Sequence, residues 1–200
     1  MGVGRPLEFN PEEALEAAMQ LFWSKGYEST SLQNLLDAMD LSKSSFYQTF
    51  GSKHQLFERC LERYRQLTVG WLNQAASQSG SPLAALEMLL NSFILESLSG
   101  PSHRGCMIMN TASEFAQRDT IVAREVDDSL RAFSSVFEQI LIKARDAGEI
   151  PLSKDPTQLA YFVLSNASGL NTMLKGGIDE ETARSIVSNL MHGLRRALPD

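Results

Sequence analysis

Three helix-start signals stand in close succession at Thr30, Ser42 and Ser52, and they constrain the fold more than any other feature of the chain. A segment restarted so often holds helices of about two turns, too short to persist without tertiary packing. Ser42 reads as an N-cap, with Leu41 before it and Phe46 after it forming a hydrophobic staple. Phe46 and Phe50, at i and i+4, then face the core, which leaves Lys43, Ser44, Tyr47 and Gln48 together on the outer face. The preceding helix opens at Thr30, with Gln33 at the capping-box position, and turns Leu32, Leu35, Leu36 and Met39 inward before the tight Asp40-Leu41 connection. Two short helices joined this way, the second with a polar outer face, make a helix-turn-helix unit whose second helix fits a major groove about 12 Å wide.

The surroundings carry chemistry for a polyanion. Thr30 and Ser31 stand at one helix N-terminus, and Lys53 and His54 at another, where free N–H groups and the positive dipole end favour phosphate. Gln48 is the candidate base reader, because a carboxamide bonds adenine bidentately, and Ser42 and Ser44 complete the outer face. Bulk charge does not supply the affinity. The net charge is −6, and within residues 1–60 Arg5, Lys25, Lys43, Lys53 and Arg59 face Glu8, Glu12, Glu13, Glu16, Glu28, Asp37, Asp40 and Glu58. Any nucleic-acid contact is therefore local.

The rest of the chain repeats helical punctuation. Asn10-Pro11 opens a first helix, with Glu13 reaching back to the cap, and Gly26 closes it; Ser52 opens a long fourth helix running to about Ala76. Ser77 to Pro82 is the clearest linker, and Pro82 starts a helix bearing Leu86, Leu89, Leu90, Phe93 and Ile94. Helical periodicity resumes after Gly105, again from about Thr120 to Ala147, from Asp155 to Lys175, and from Asp179 through Leu194 and Leu198. Sustained strand alternation is absent. The expected fold is all-α, about nine helices, with a helix-turn-helix domain over 1–55 and a larger helical body over 56–200.

The stretch from Thr30 to Phe57 resembles the N-terminal signature of TetR-family regulators, with a helix-two threonine, a turn, a serine-capped helix carrying Phe46-Tyr47, then Phe50, Gly51, Ser52 and Lys53. The resemblance covers residues 9–60. It implies phosphate contacts for Thr30, Tyr47 and Lys53, and operator choice for Lys43, Ser44 and Gln48. Asp40 stands where the family often has Gly in the turn, and Ser44 where it often has Gly on the recognition helix. The resemblance further implies a homodimer joined through the last two helices, double-stranded operator DNA as partner, and an effector pocket between the middle helices. The final helix has a broad apolar stripe, and the helix before it offers Phe162, Asn166 and Met173 with small Ser165 and Gly169 permitting close approach.

Candidate pocket residues are Phe93, His103, Cys106, Met107, Met109, Asn110, Phe115, Phe133, Phe137, Phe162, Asn166, Met173 and Lys175, a wall of rings and thioethers with a few polar groups. They suit a small apolar or electrophilic effector. Gly105 to Glu114 resembles a Gly-Cys-apolar-apolar-x-Asn-[Ser/Thr]-Ala-x-Glu segment of TetR-like regulators of reductase and detoxification operons. Cys106 stands at a helix N-terminus beside Arg104 and His103, with Lys175 able to approach, an arrangement that would favour thiolate; a small buried hydrophobe beside Met107 and Met109 is the competing reading. Cys60, among Leu56, Phe57 and Leu61, reads as a packed thiol.

Catalytic signatures are absent: no nucleophile elbow, phosphate-binding glycine loop, zinc-protease motif or dinucleotide fingerprint occurs. His54, His103 and His192 are scattered, and His103 with Cys106 gives only two ligands, so neither a metal nor a cofactor is expected. No stretch reaches the roughly 20 apolar residues of a membrane span, and the N-terminus lacks a signal-peptide core, so a cytoplasmic protein is expected. The sequence reads as a DNA-binding regulator, with a helical adaptor that has lost DNA binding as the alternative.

Overall fold

The computed structural model describes residues 9–99, 103–115 and 117–196, and the regular structure among them is nine α-helices. Leu198 and Arg5 lie outside the described residues. α1 (Pro11–Lys25) is capped by Asn10, whose side chain accepts from the Glu12 N–H at 3.0 Å, while Glu13 meets the Asn10 amide rather than its backbone. It ends at Gly26, with φ of 82°. A side chain there would strike the Glu114 carboxylate at 2.7 Å, so the position needs glycine both for its backbone and for that close approach.

α2 (Leu32–Met39) starts one residue later than its sequence suggests. Ser31 is the cap and Asn34, not Gln33, closes the capping box. Thr30 is fully buried and its hydroxyl donates to the Gly26 carbonyl at 2.6 Å, so it braces the α1–α2 turn. The helix closes on Asp40 in the left-handed region, at φ 51° and ψ 49°. α3 (Lys43–Phe50) is capped by Ser42, and α4 (Lys53–Ala76) by Ser52.

α1 packs on α2 and α4, and Phe22, Phe46, Phe50 and Phe57 fill the space between them. Phe22 meets Phe57 edge to face at 4.9 Å. The body adds α5 (Pro82–Leu98), α6 (Met107–Glu114), α7 (Thr120–Asp146), α8 (Pro156–Lys175) and α9 (Glu180–Arg195). α7 is its centre, packed on α4, α5, α6 and α8, while α9 rests on α5 and α8. Lys154, in the α7–α8 connection, is buried but satisfied: its ammonium donates to the Gly193 and Leu194 carbonyls at 2.6 and 3.3 Å, at the negative end of α9.

Asp40 gives the first test. A non-glycine residue in the left-handed region is strained by about 1 kcal/mol, so Asp40→Gly should raise stability by a few tenths to about 1 kcal/mol after the extra chain entropy is counted. Urea midpoints of parent and variant measure this, and a loss of stability would show that the Asp40 side chain itself supports the turn.

Candidate nucleic-acid interface and ligand cavity

Anchoring of α3 by fully buried Phe46 and nearly buried Phe50 fixes its outward face. Lys43, Ser44, Tyr47 and Gln48 are exposed together, and Tyr47 stands edge-on to Phe46 with ring centroids 5.3 Å apart. Ser42 is also exposed, but its oxygen already accepts from the Ser45 N–H at 3.1 Å and pairs with the Ser45 hydroxyl. Ser31 caps α2 at the surface, whereas buried Thr30 presents no hydroxyl to a phosphate. Arg59 braces the end of α3, its guanidinium over the Phe50 ring at 4.8 Å and bonded to the Thr49 carbonyl.

Lys53 and His54 divide at the start of α4. The Lys53 ammonium rests 4.2 Å from the centre of the Tyr27 ring, and burial lowers its pKa against the opposing pull of Glu28 and Glu114. His54 turns toward the body. Its Nδ1 meets the Glu58 carboxylate, and its Nε2 meets the Asp119 carboxylate at 2.7 Å. A ring with carboxylate oxygens at both nitrogens satisfies both bonds only when doubly protonated. Burial pulls the His54 pKa down, yet the two hydrogen bonds and charges outweigh it and the net displacement is upward. Asp119, held low chiefly by the Val122 N–H and also by His54, is simultaneously the N-cap of α7.

Two further contacts join the same parts. Glu114, at the end of α6, accepts from the Tyr27 and Glu28 N–H groups at 3.1 and 2.9 Å, and Phe115 stacks on Tyr27 at 4.7 Å. Phe115 therefore belongs to this junction and not to a pocket wall.

A cavity of about 440 Å³ opens between α1, α4, α5, α7 and α8. Of the residues anticipated from sequence, it brings together Phe93, His103, Cys106, Met109, Phe133 and Phe137. Trp23, Tyr64, Trp71, Glu16, Glu96 and Asn171 also line it and were missed. The signal available was that Trp23 sits beside Phe22, off the apolar stripe of α1. His103 Nε2 lies 3.1 Å from Asn171 Oδ1. Phe162, Asn166 and Met173 do not reach the cavity: Phe162 and Met173 are exposed on the far side of α8, and the Asn166 amide donates to the Phe162 carbonyl.

Met107, Asn110 and Lys175 line a second cleft of about 400 Å³ between α6 and the α1–α2 turn, which shares Trp23 and Met109 with the first. Lys175 donates to Asn110 Oδ1 at 3.1 Å. Arg104 lies over the Trp23 ring at 3.8 Å and bonds Gln20. Arg104, Lys175 and His103, all anticipated beside Cys106, thus have other partners, and burial pushes the Cys106 thiol up despite N–H groups of α6 and the Tyr64 hydroxyl. The resting group is the thiol. Burial likewise pushes Cys60 up.

The family model for bacterial regulatory proteins of the tetR family matches residues 14–60, and that for the tetracyclin repressor-like C-terminal domain matches residues 82–189. The chain belongs to the TetR family. Among TetR-type relatives, the HTH-type transcriptional repressor ComR of Escherichia coli K12 is 26% identical over 196 residues, covering 94% of this chain and 90% of that protein. The HTH-type transcriptional repressor DhaR of Mycobacterium sp. GP1 is 24% identical over 166 residues, covering 82% and 81%. A cysteine mutant of the TetR family regulator CifR, solved with 26-bp double-strand operator DNA, superposes with a TM-score of 0.84 at 25% identity, over 96% of this chain and all of that one. Reduced E. coli NemR shares the fold, with a TM-score of 0.78 at 21% identity over 90% and 94% of the two chains.

The His54 clasp predicts a pH signature in this TetR protein. A raised histidine pKa contributes stability that is complete below the unfolded value of about 6.5 and is lost as pH rises through the folded value. The lowered Asp119 works oppositely, contributing above the ordinary carboxylate range and failing as pH falls through its folded value. Urea midpoints taken over about pH 5 to 9 should decline on the alkaline side of the imidazole range in the parent, and this decline should vanish in His54→Gln. An unchanged profile in the variant would mean that His54 is not the titrating group.

Proposed function

We propose that the protein is a cytoplasmic, homodimeric transcriptional repressor that reads operator DNA through α3 and is released by a small molecule held in the α4–α8 cavity. Residues 1–55 form the reading head and 56–200 the sensing and dimerisation body. The observation that carries the reading is the outward set Lys43, Ser44, Tyr47 and Gln48 on a helix anchored by Phe46 and Phe50. The similarity to a structure containing operator DNA supports it. Gln48 and Ser44 read base edges, Tyr47, Lys43 and Lys53 hold phosphate, and Ser31 and Ser42 fix the helix ends that approach the backbone. Lys53 leaves the Tyr27 ring to do so, which its flexible stem permits.

Exposed Phe162 and Met173 on α8, with Ser165 and Gly169 between them, support pairing of α8 with its mate in a second copy. Gly169 has open space around it in the single chain. Gly169→Arg should therefore fold normally but place a charge in the subunit interface, weakening the dimer by about 3 kcal/mol, or about a hundredfold in Kd. Sedimentation equilibrium reads the change, and a dimer of unaltered affinity would remove α8 from the interface.

DNA recognition is tested by retention of genomic fragments on the purified protein followed by salt titration. Lys53→Ala should flatten the slope of log K against log salt by about 0.9 and weaken all fragments alike, whereas Gln48→Ala should alter preference among them. No fragment retained at low salt would favour the helical adaptor. An unchanged slope in Lys53→Ala would leave its ammonium on Tyr27 in the complex.

A further inference from the structure

We propose that the α4–α8 cavity selects an organic cation, with a substituted ammonium head lodged against Trp71, Phe93 and Glu96 and an apolar tail along the buried apolar lining. The selectivity deepens the effector reading and rests on it for the consequence at the operator. The charged residues lining the cavity are Glu16 and Glu96, and no described lysine or arginine lines it. An anionic effector would bring another negative charge to a wall that already carries two.

The two carboxylates are not equivalent. Glu16 accepts from the Gln20 amide at 2.7 Å and faces Arg63 at 4.0 Å, and Arg104 covers the nearby Trp23 ring. That carboxylate is compensated. Glu96 is exposed, with no side-chain ion pair among the described residues. It follows Phe93 by three residues on α5 and so shares its side of the helix. Across from Phe93 stands Trp71 of α4, ring centroids 5.7 Å apart and tilted 36°.

Aromatic faces carry negative quadrupole and attract a cation within about 6 Å of the centroid, tryptophan most strongly, and a quaternary ammonium sheds water readily enough to use them. Two rings and an unpaired carboxylate lining one cavity therefore favour one charge type. The buried part of the lining differs in character. Leu72, Phe133, Phe137 and Leu164 are buried and apolar, which suits a hydrocarbon or aryl tail. A neutral hydrocarbon would fill this apolar lining but leave the rings and Glu96 without a cationic partner.

The protein supplies its own reporter, because its two tryptophans, Trp23 and Trp71, both line this cavity. The experiment titrates the full-length protein with phenylbutyl-trimethylammonium, with its neutral isostere in which carbon replaces nitrogen, and with phenylpentanoate, following tryptophan fluorescence. The ammonium should bind about tenfold more tightly than the isostere, with phenylpentanoate weakest. Glu96→Gln should cost the ammonium about tenfold and leave the isostere unchanged. Trp71→Leu should do the same, with Trp23 still reporting. Equal or tighter binding of the isostere or the carboxylate, an equal loss for all three in Glu96→Gln, or no fluorescence response to any probe would overturn the selectivity. Operator affinity measured with the same probes separates the two readings. Ammonium binding with the stated preference but no operator release supports the selectivity and sinks the release mechanism, whereas phenylpentanoate that binds best and releases the operator sinks the selectivity alone.

Discussion

α4 is buried on two sides at once, and both halves of the molecule rest on it. Its first turns bring Leu56, Phe57, Cys60 and Leu61 against α1, and its body presents Tyr64 and Leu72 toward α7 and the cavity. Each large apolar side chain buried this way contributes about 1.5 to 3 kcal/mol of transfer free energy. The two-turn helices α2 and α3 would not persist in isolation, so their geometry is inherited from this shared surface. Any displacement of α4 along its length is transmitted to Lys53 at one end and to Trp71 near the other.

The polar contacts add direction to that packing. Glu114 caps the N–H groups of the α1–α2 turn, His54 joins α4 to the cap of α7, and Phe115 stacks on Tyr27. All three arise in or beside the short α6 and its exit. The cap and first turn of the same helix carry Cys106 and Met109, which line the cavity. Eight residues thus connect the ligand-sized space to the reading head without a flexible linker. A molecule that shifts α6 must break or drag charge-assisted hydrogen bonds, which are stronger and more orientation-dependent than apolar contacts.

Charge also separates the two surfaces. The reading face carries one lysine with hydroxyl, phenol and carboxamide groups, while the cavity lining carries carboxylates. In a chain with net charge −6, neither pattern follows from the average composition. Each is a local arrangement that helix spacing makes possible.

Local chemistry was legible in the sequence. Asn10, Ser42, Ser52, Asp155 and Asp179 cap the helices they were expected to cap, because a cap bonds to its own chain within three residues. The outward face of α3 was legible for the same reason, since Phe46 and Phe50 leave it no other choice. Where two neighbouring residues could both cap, as at Thr30 and Ser31, the decision passed to the tertiary structure, which buried one and left the other at the surface. The cavity was only partly legible. Periodicity tells which residues share a face of a helix but not what that face meets, so Phe162 and Met173 were read as lining and stand outside, while Trp23, Trp71 and Glu96 line it and were not anticipated. The sequence by itself determined the helices, their ends and the reading face, all set by bonds and contacts within a few residues. Only the tertiary structure decided the cavity wall, the His54 clasp and the thiol state of Cys106, because each depends on groups tens of residues apart arriving at one place.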